Sequence, residues 1–244
     1  MIRLILCGIF LLLFFTVSLP LFFIEWLIGL FNPYIKGISS LRIVQWAFKV
    51  LIFISGVDLT VIGEENVPKD TPVLYVGNHR SYFDTILTYA RVPRQTSYIA
   101  KKETAKIPIL KRWMLYLHCL FLDRDDIKQG LKVILTAIDY IKEGISVCIF
   151  PEGTRNHVDG TFMEFHEGSF KVATKSNCPI VPMSIINSAE IFENHMPKIK
   201  KAHVILIYGE PIYPDQIPTE QKKKIGQYCR NIIIENYHKY EDRL

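Results

Sequence analysis

The chain has 244 residues, 49% of them hydrophobic, with 29 Lys or Arg against 24 Asp or Glu and a formal net charge of +5. That length suits one globular domain with an appendage, and a mean hydropathy of +0.17 is high for a soluble enzyme. The charge is clustered, with seven Lys or Arg and one acid (Glu103) across residues 91–112; this suits anionic lipid or an anionic substrate and argues against nucleic acid, because the aromatics do not interleave with the basic residues as a stacking platform requires.

Residues 4–24 are nearly all apolar, follow Arg3, and are long enough to cross a bilayer core. Three readings are open: a signal peptide with small residues at Thr16-Val17-Ser18, a spanning anchor, or a re-entrant or interfacial hairpin broken at Pro20. Apolar character resumes over 22–31, which disfavours a cleaved leader and favours membrane anchoring. In segment 41–54, Arg42, Gln45 and Lys49 fall three and four apart and share one helical face, with Trp46 and Phe48 outside it. This fits a helix lying in the membrane interface or packing on the anchor, and equally an ordinary core-facing helix.

From Val57 onward short apolar runs alternate with helical stretches. Strands are expected at 59–62, 73–76, 97–100, 119–122, 146–150, 180–186 and 204–208. Helices are expected at 85–90, around Ile109, Leu110, Trp113, Met114 and Leu117 with Pro108 near the start, at 127–141, and at 219–240. Such alternation predicts an α/β fold, with a mixed, largely parallel sheet flanked by helices. The five cysteines (Cys7, Cys119, Cys148, Cys178, Cys229) are odd in number and form no CxxC, and they read as buried thiols in a reducing compartment.

Two segments carry candidate chemistry. His79 falls where the 73–76 strand gives way to a loop, a usual place for reactive groups in α/β folds. Asp84 lies five residues on, roughly 140° out of register on a straight helix. The two therefore meet only if His79 sits in a turn and Asp84 in the first helical turn after it. A carboxylate on Nδ1 would then fix the tautomer and leave Nε2 to accept a proton. The competing reading is that Ser81-Tyr82-Phe83-Asp84 is a capping box, with Asp84 bonding only backbone. The second segment, Phe150-Pro151-Glu152-Gly153-Thr154-Arg155, ends another strand. Arg155 can grip a phosphate in two-pronged fashion, Gly153 allows close backbone approach, and Glu152 can bond a hydroxyl or hold an arginine. Arg124 ends the 119–122 strand and is expected beside Arg155 as a second cation of an anion pocket; the competing reading of 150–155 is a surface turn with a Glu–Arg ion pair. His79, His157 and His166 have no recognised metal-ligand spacing, and no metal is expected. His166 and Lys171 read as a loop and helix start covering the site.

Taken in order, four segments resemble the glycerolipid acyltransferase family, specifically its 1-acyl-glycerol-3-phosphate acyltransferases. Asn78-His79-Arg80-Ser81-Tyr82-Phe83-Asp84 is similar to the NHxSxxD motif, Leu120-Phe121-Leu122-Asp123-Arg124 to the second motif, 150–155 to FPEGTR, and Cys178-Pro179-Ile180-Val181-Pro182-Met183 to the fourth. Ala100-Lys101-Lys102-Glu103 also resembles a family segment. The resemblance spans roughly 57–212. It departs before the second motif, where the family often has glycine and this chain has Leu117-His118-Cys119. The resemblance implies that His79 is the general base, that Asp84 orients it, and that Arg124, Glu152, Gly153, Thr154 and Arg155, with Lys101, bind the glycerol phosphate. It further implies an acyl-CoA or acyl carrier protein co-substrate, no cofactor, a lysophospholipid acceptor and a bilayer partner. The expected organisation is an anchor with interfacial helices over 1–56 and an acyltransferase domain over 57–244, membrane-associated with the site facing the cytoplasm. Acylation of another lysolipid or of glycerol 3-phosphate, an inactive lipid-binding homologue, and a hydrolase using the His–Asp pair to activate water are the alternatives.

Overall fold

The computed structural model of the chain describes residues 1–158 and 160–244. It opens with two long helices, α1 (Ile2–Phe31) and α2 (Pro33–Ser55), that pack against each other. The turn between them follows from Asn32-Pro33. The Asn32 side chain accepts a hydrogen bond from Ile35 N, and Pro33 opens α2 where a missing N–H costs nothing. Gly56 closes α2 in the left-handed region, φ 71.

The rest of the chain supplies β1 (Val57–Ile62), β2 (Leu74–Gly77), α3 (Tyr82–Tyr89), β3 (Thr96–Lys101), α4 (Pro108–Tyr116), β4 (Leu120–Leu122), α5 (Ile127–Lys142), β5 (Ser146–Ile149), α6 (Lys171–Ser176), β6 (Ile180–Ile186), β7 (Ala202–Tyr208) and α7 (Ile225–Tyr240). The strands form one seven-stranded sheet in the order β1-β7-β6-β2-β5-β3-β4. Every pairing is parallel except β6 with β7, so the mixed, largely parallel sheet is present. In β2 all four residues are buried, and alternate side chains enter opposite cores. Tyr75 joins Tyr98, Cys148, Met183 and Leu206 under α2, α3 and α4. Leu74 and Val76 join Val147, Ile149 and Ile180 under α5, α6 and α7. All five cysteines are free and buried.

One expectation for the N-terminal region needs correction. Pro20 does not break the apolar run, because α1 passes straight through it. A proline inside an apolar helix is tolerated, and the Thr16 and Ser18 hydroxyls on the turn before it donate to Leu12 O and Phe14 O, so both are satisfied within the helix. Of the three polar residues on one face of α2, Arg42 and Lys49 are exposed and Gln45 is not. Gln45 is buried, donates to Tyr89 O and Val92 O, and accepts from Arg42. The amide ties α2 to the end of α3, while Trp46 and Phe53 stay exposed. The core-facing and anchor-packing readings therefore both hold for this helix.

The closing helix starts at Ile225 and not at 219. Lys222, Lys223 and Lys224 form a 3-10 turn before it, and three cations oppose the positive end of a helix dipole. His118 has φ 59, left-handed for a residue with a Cβ. It stands in the stretch where the family often has glycine. Its ring meets Tyr140 edge-on at 5.5 Å, and its carbonyl accepts from Ser97 Oγ.

Candidate active site

Because β2 and β5 are parallel neighbours, the loops that leave their ends emerge side by side. The β2 loop carries Asn78 and His79. The Asn78 amide donates to Ile185 O and accepts from Ile185 N, so it extends the contact with β6 past the end of the strand. The sequence reading left this residue without a role. It fixes where the chain turns, and His79 follows.

His79 Nδ1 lies 2.8 Å from Asp84 Oδ2. The same oxygen accepts from Arg80 N and Ser81 N, each at 2.7 Å, and the Ser81 hydroxyl accepts from Phe83 N. The capping box is therefore real, and the His–Asp pair is built on it. With Nδ1–H donated to a fully buried carboxylate, the imidazole is held in one tautomer. Nε2 makes no hydrogen bond among the described residues. The ring stacks on Phe150 at 4.4 Å, with 20° between planes, so position and tilt are both set. The His79 side chain keeps 19% exposure, enough for a reactant to reach it.

The β5 loop locks onto the same turn. Glu152 is buried and accepts from His79 N at 2.8 Å and from Met163 N at 3.1 Å. Asn156 N donates to His79 O at 2.7 Å. Burial pushes the Glu152 carboxyl above the ordinary range, and the two N–H groups act against that rise. Both its oxygens serve backbone donors, so Glu152 acts as a brace between loops. Gly153 has φ 75, a conformation that favours glycine, and a Cβ there would sit 3.0 Å from His166 Nε2, so the imidazole would have to shift. Thr154 is exposed. Arg155 lies over the Tyr82 ring at 3.7 Å and pairs with Glu193 at 3.1 Å. Sequence reasoning missed Glu193, which sits 112 residues from Ser81 and in no motif.

The remaining cations follow the sheet order. Lys101 ends β3 and is exposed, with Glu103 3.6 Å away. Arg124 is exposed just past β4, the edge strand. The expectation that Arg124 and Arg155 end neighbouring strands needs correction, because β3 lies between β4 and β5. Lys101 therefore falls between the two arginines along one sheet edge. His166 borders Gly153 as expected of a covering loop. Lys171 opens α6.

A family model described as Acyltransferase matches residues 58–186. The chain belongs to that family. It is 29% identical over 189 residues to the 1-acyl-sn-glycerol-3-phosphate acyltransferase of Borreliella burgdorferi, a match covering 78% of this chain and 72% of that protein. It is 29% identical over 209 residues to the protein of the same name from Helicobacter pylori, covering 85% and 86%. The crystal structure of the 1-acyl-sn-glycerophosphate (LPA) acyltransferase PlsC from Thermotoga maritima superimposes with a TM-score of 0.78 at 25% identity, covering 99% of each chain. The acyltransferase match covers β1 to β6, and thus both loops of the site. In the PlsC comparison the shared fold takes in α1 and α2 as well, since 99% of this chain is aligned.

Proposed function

We propose that this acyltransferase moves an acyl group from a coenzyme A or acyl carrier protein thioester to the free hydroxyl of 1-acyl-glycerol 3-phosphate, forming phosphatidate. One observation carries the reading: a histidine with Nδ1 held by a buried carboxylate and Nε2 without a hydrogen bond among the described residues, one loop away from an arginine braced for an anion. A neutral hydroxyl is a poor nucleophile. His79 Nε2 removes its proton as the oxygen attacks the thioester carbonyl, and the C–S bond breaks when the tetrahedral adduct collapses. The proton then passes from Nε2 to the departing thiolate, so no acyl-enzyme is needed. Arg155, with Lys101 and Arg124 along the same edge, binds the acceptor phosphate and converts binding into proximity. Glu152, Gly153 and Thr154 shape the loop that presents it. The apolar α1 and α2 hold the domain at a bilayer, where the lysolipid resides, with the site facing the cytoplasm.

The test is turnover of lysophosphatidate by purified protein with both thioester types, beside other lysolipids. His79→Ala is expected to lower kcat by about 10²–10⁴, with vesicle binding retained. A near-normal rate in that variant would remove His79 as the base.

A further inference from the structure

Glu193 lies in a 3-10 turn, Glu193–His195, beyond β6. Its side chain is 6% exposed. Oε1 accepts from Tyr82 N at 2.7 Å and from Arg155 Nη1 at 3.1 Å, and Oε2 accepts from Ser81 Oγ at 2.6 Å. A nearly buried carboxylate is costly unless donors surround it, and here they come from two separate loops. Ser81 and Tyr82 start α3, the helix that carries Asp84. Arg155 belongs to the loop after β5. Tyr82 also lies beneath the guanidinium, so Arg155 is held on one face by the ring and at one nitrogen by the carboxylate. A guanidinium has five N–H donors in a fixed fork. Among the described residues Glu193 engages one, which leaves the others for an anion.

We propose that Glu193 is a positioning residue that holds Arg155 in register with the His79–Asp84 turn, and so makes the acceptor's phosphate group the determinant of acceptor recognition. The inference rests on the acceptor reading given under Proposed function. Glu193 touches neither reactant. It acts by keeping a long, flexible cation in one orientation at a fixed offset from the base. The Arg155–Glu193 ion pair is thus a prepared anion site in which one hydrogen bond of the arginine is already made within the protein. Preorganisation of this kind lowers the ordering cost on binding.

The experiment compares wild type with Glu193→Gln, which keeps size and an acceptor for Tyr82 N but removes the charge facing Arg155. Two acceptors are used, lysophosphatidate and 1-monoacylglycerol, which lacks the phosphate. The KM for lysophosphatidate is expected to rise about tenfold, in line with loss of one charge-assisted hydrogen bond. The KM for the thioester and the slow rate with 1-monoacylglycerol are expected to stay near wild type, with only a small fall in thermal midpoint from the lost Ser81 acceptor, so preference for the phosphorylated acceptor falls about tenfold. Arg155→Lys, which keeps charge but loses the fork, raises the same KM. Adding Glu193→Gln to Arg155→Lys raises it little further, because both act on one contact. A merely structural role would instead lower the midpoint strongly and slow both acceptors equally, and that outcome overturns the proposal. So does an unchanged lysophosphatidate KM in Glu193→Gln when wild type acylates this acceptor well. A wild-type protein that acylates other acceptors but ignores lysophosphatidate overturns the acceptor reading itself, and the inference with it.

Discussion

Asp84 shows how one side chain serves structure and chemistry together. A single oxygen caps α3 through Arg80 N and Ser81 N and also accepts a hydrogen bond from His79 Nδ1–H. The two duties separate by substitution. Asp84→Asn keeps an oxygen for the backbone donors but removes the negative charge that supports a protonated imidazole. It is expected to lower kcat by about 10³–10⁴ with a small change in thermal midpoint. Ser81→Ala loses both the cap on Phe83 N and the hydrogen bond to Glu193, and is expected to cost about 2 kcal/mol of stability. Parallel loss of activity and midpoint in Asp84→Asn would reduce Asp84 to a cap. Glu152 gives a prediction with a pH signature. Its carboxyl is raised by burial in the folded chain, so the folded state holds the proton more tightly than the unfolded one. The resulting stability is fully present below the ordinary carboxylate range and is lost as pH rises through the folded value. Glu152→Gln cannot ionise, so its midpoint, lowered overall by one lost backbone acceptor, should gain on wild type as pH climbs from about 4 to about 7. Thermal melts across that range check it, and a constant difference would mean that the carboxyl is not raised.

At the level of elements, α4 is the joint between the helix pair and the sheet. Trp113 is almost wholly buried; its ring packs on Phe14 and Phe22 at 5.8 and 5.0 Å, and its Nε1–H donates to Ser18 Oγ in α1. Trp113→Ala is expected to destabilise by about 3–5 kcal/mol through the cavity it leaves. Trp113→Phe should cost only about 0.5–1.5 kcal/mol, because Ser18 still donates to Phe14 O. Chemical denaturation in detergent separates the two, and equal losses would mean that the hydrogen bond outweighs packing. The joint was hidden in the sequence, where Trp113 reads only as one member of an apolar helical face. What was legible is what lies close together in the chain: the strand–helix alternation and a motif such as His79–Asp84, whose ends stand five residues apart. What was not legible depends on distant partners or on very short spans. The six residues of α6 are too few to show a helical period. The reversed direction of β7 is a property of its pairing with β6 and not of its composition. Gln45 reads only as one of three polar residues on a helical face, because its acceptors, Tyr89 O and Val92 O, lie more than forty residues away, and Glu193 escaped for the same reason.

At the scale of the whole molecule, α1 has 30 residues, about 45 Å of helix, long enough to cross a hydrocarbon core of about 30 Å. Length does not decide the matter, because the helix pair is fastened to the hydrated domain along its whole extent. At one end, Leu51 packs into the core beside the sheet residues and Arg3 lies against Gly56, the residue before β1. Midway, Ser18 binds Trp113. At the far end, Gln95 of the α3–β3 connection donates to Tyr34 O beside the interhelical turn. A spanning hairpin would carry Tyr34 to the opposite surface and pull Gln95 and α4, with the charged Lys111 and Arg112, into hydrocarbon, at a cost of several kcal/mol per charge. The hairpin is therefore expected to lie along one leaflet, with exposed Leu12, Phe23, Trp46 and Phe53 in the lipid and the acceptor reaching the site from the same side. Because all five native cysteines are buried, a Tyr34→Cys variant offers a single reactive thiol. In vesicles carrying the catalytic domain on their outer face, a membrane-impermeant maleimide added outside should label it without detergent. Labelling only after the vesicles are opened would place the turn across the bilayer and make α1 and α2 a spanning pair.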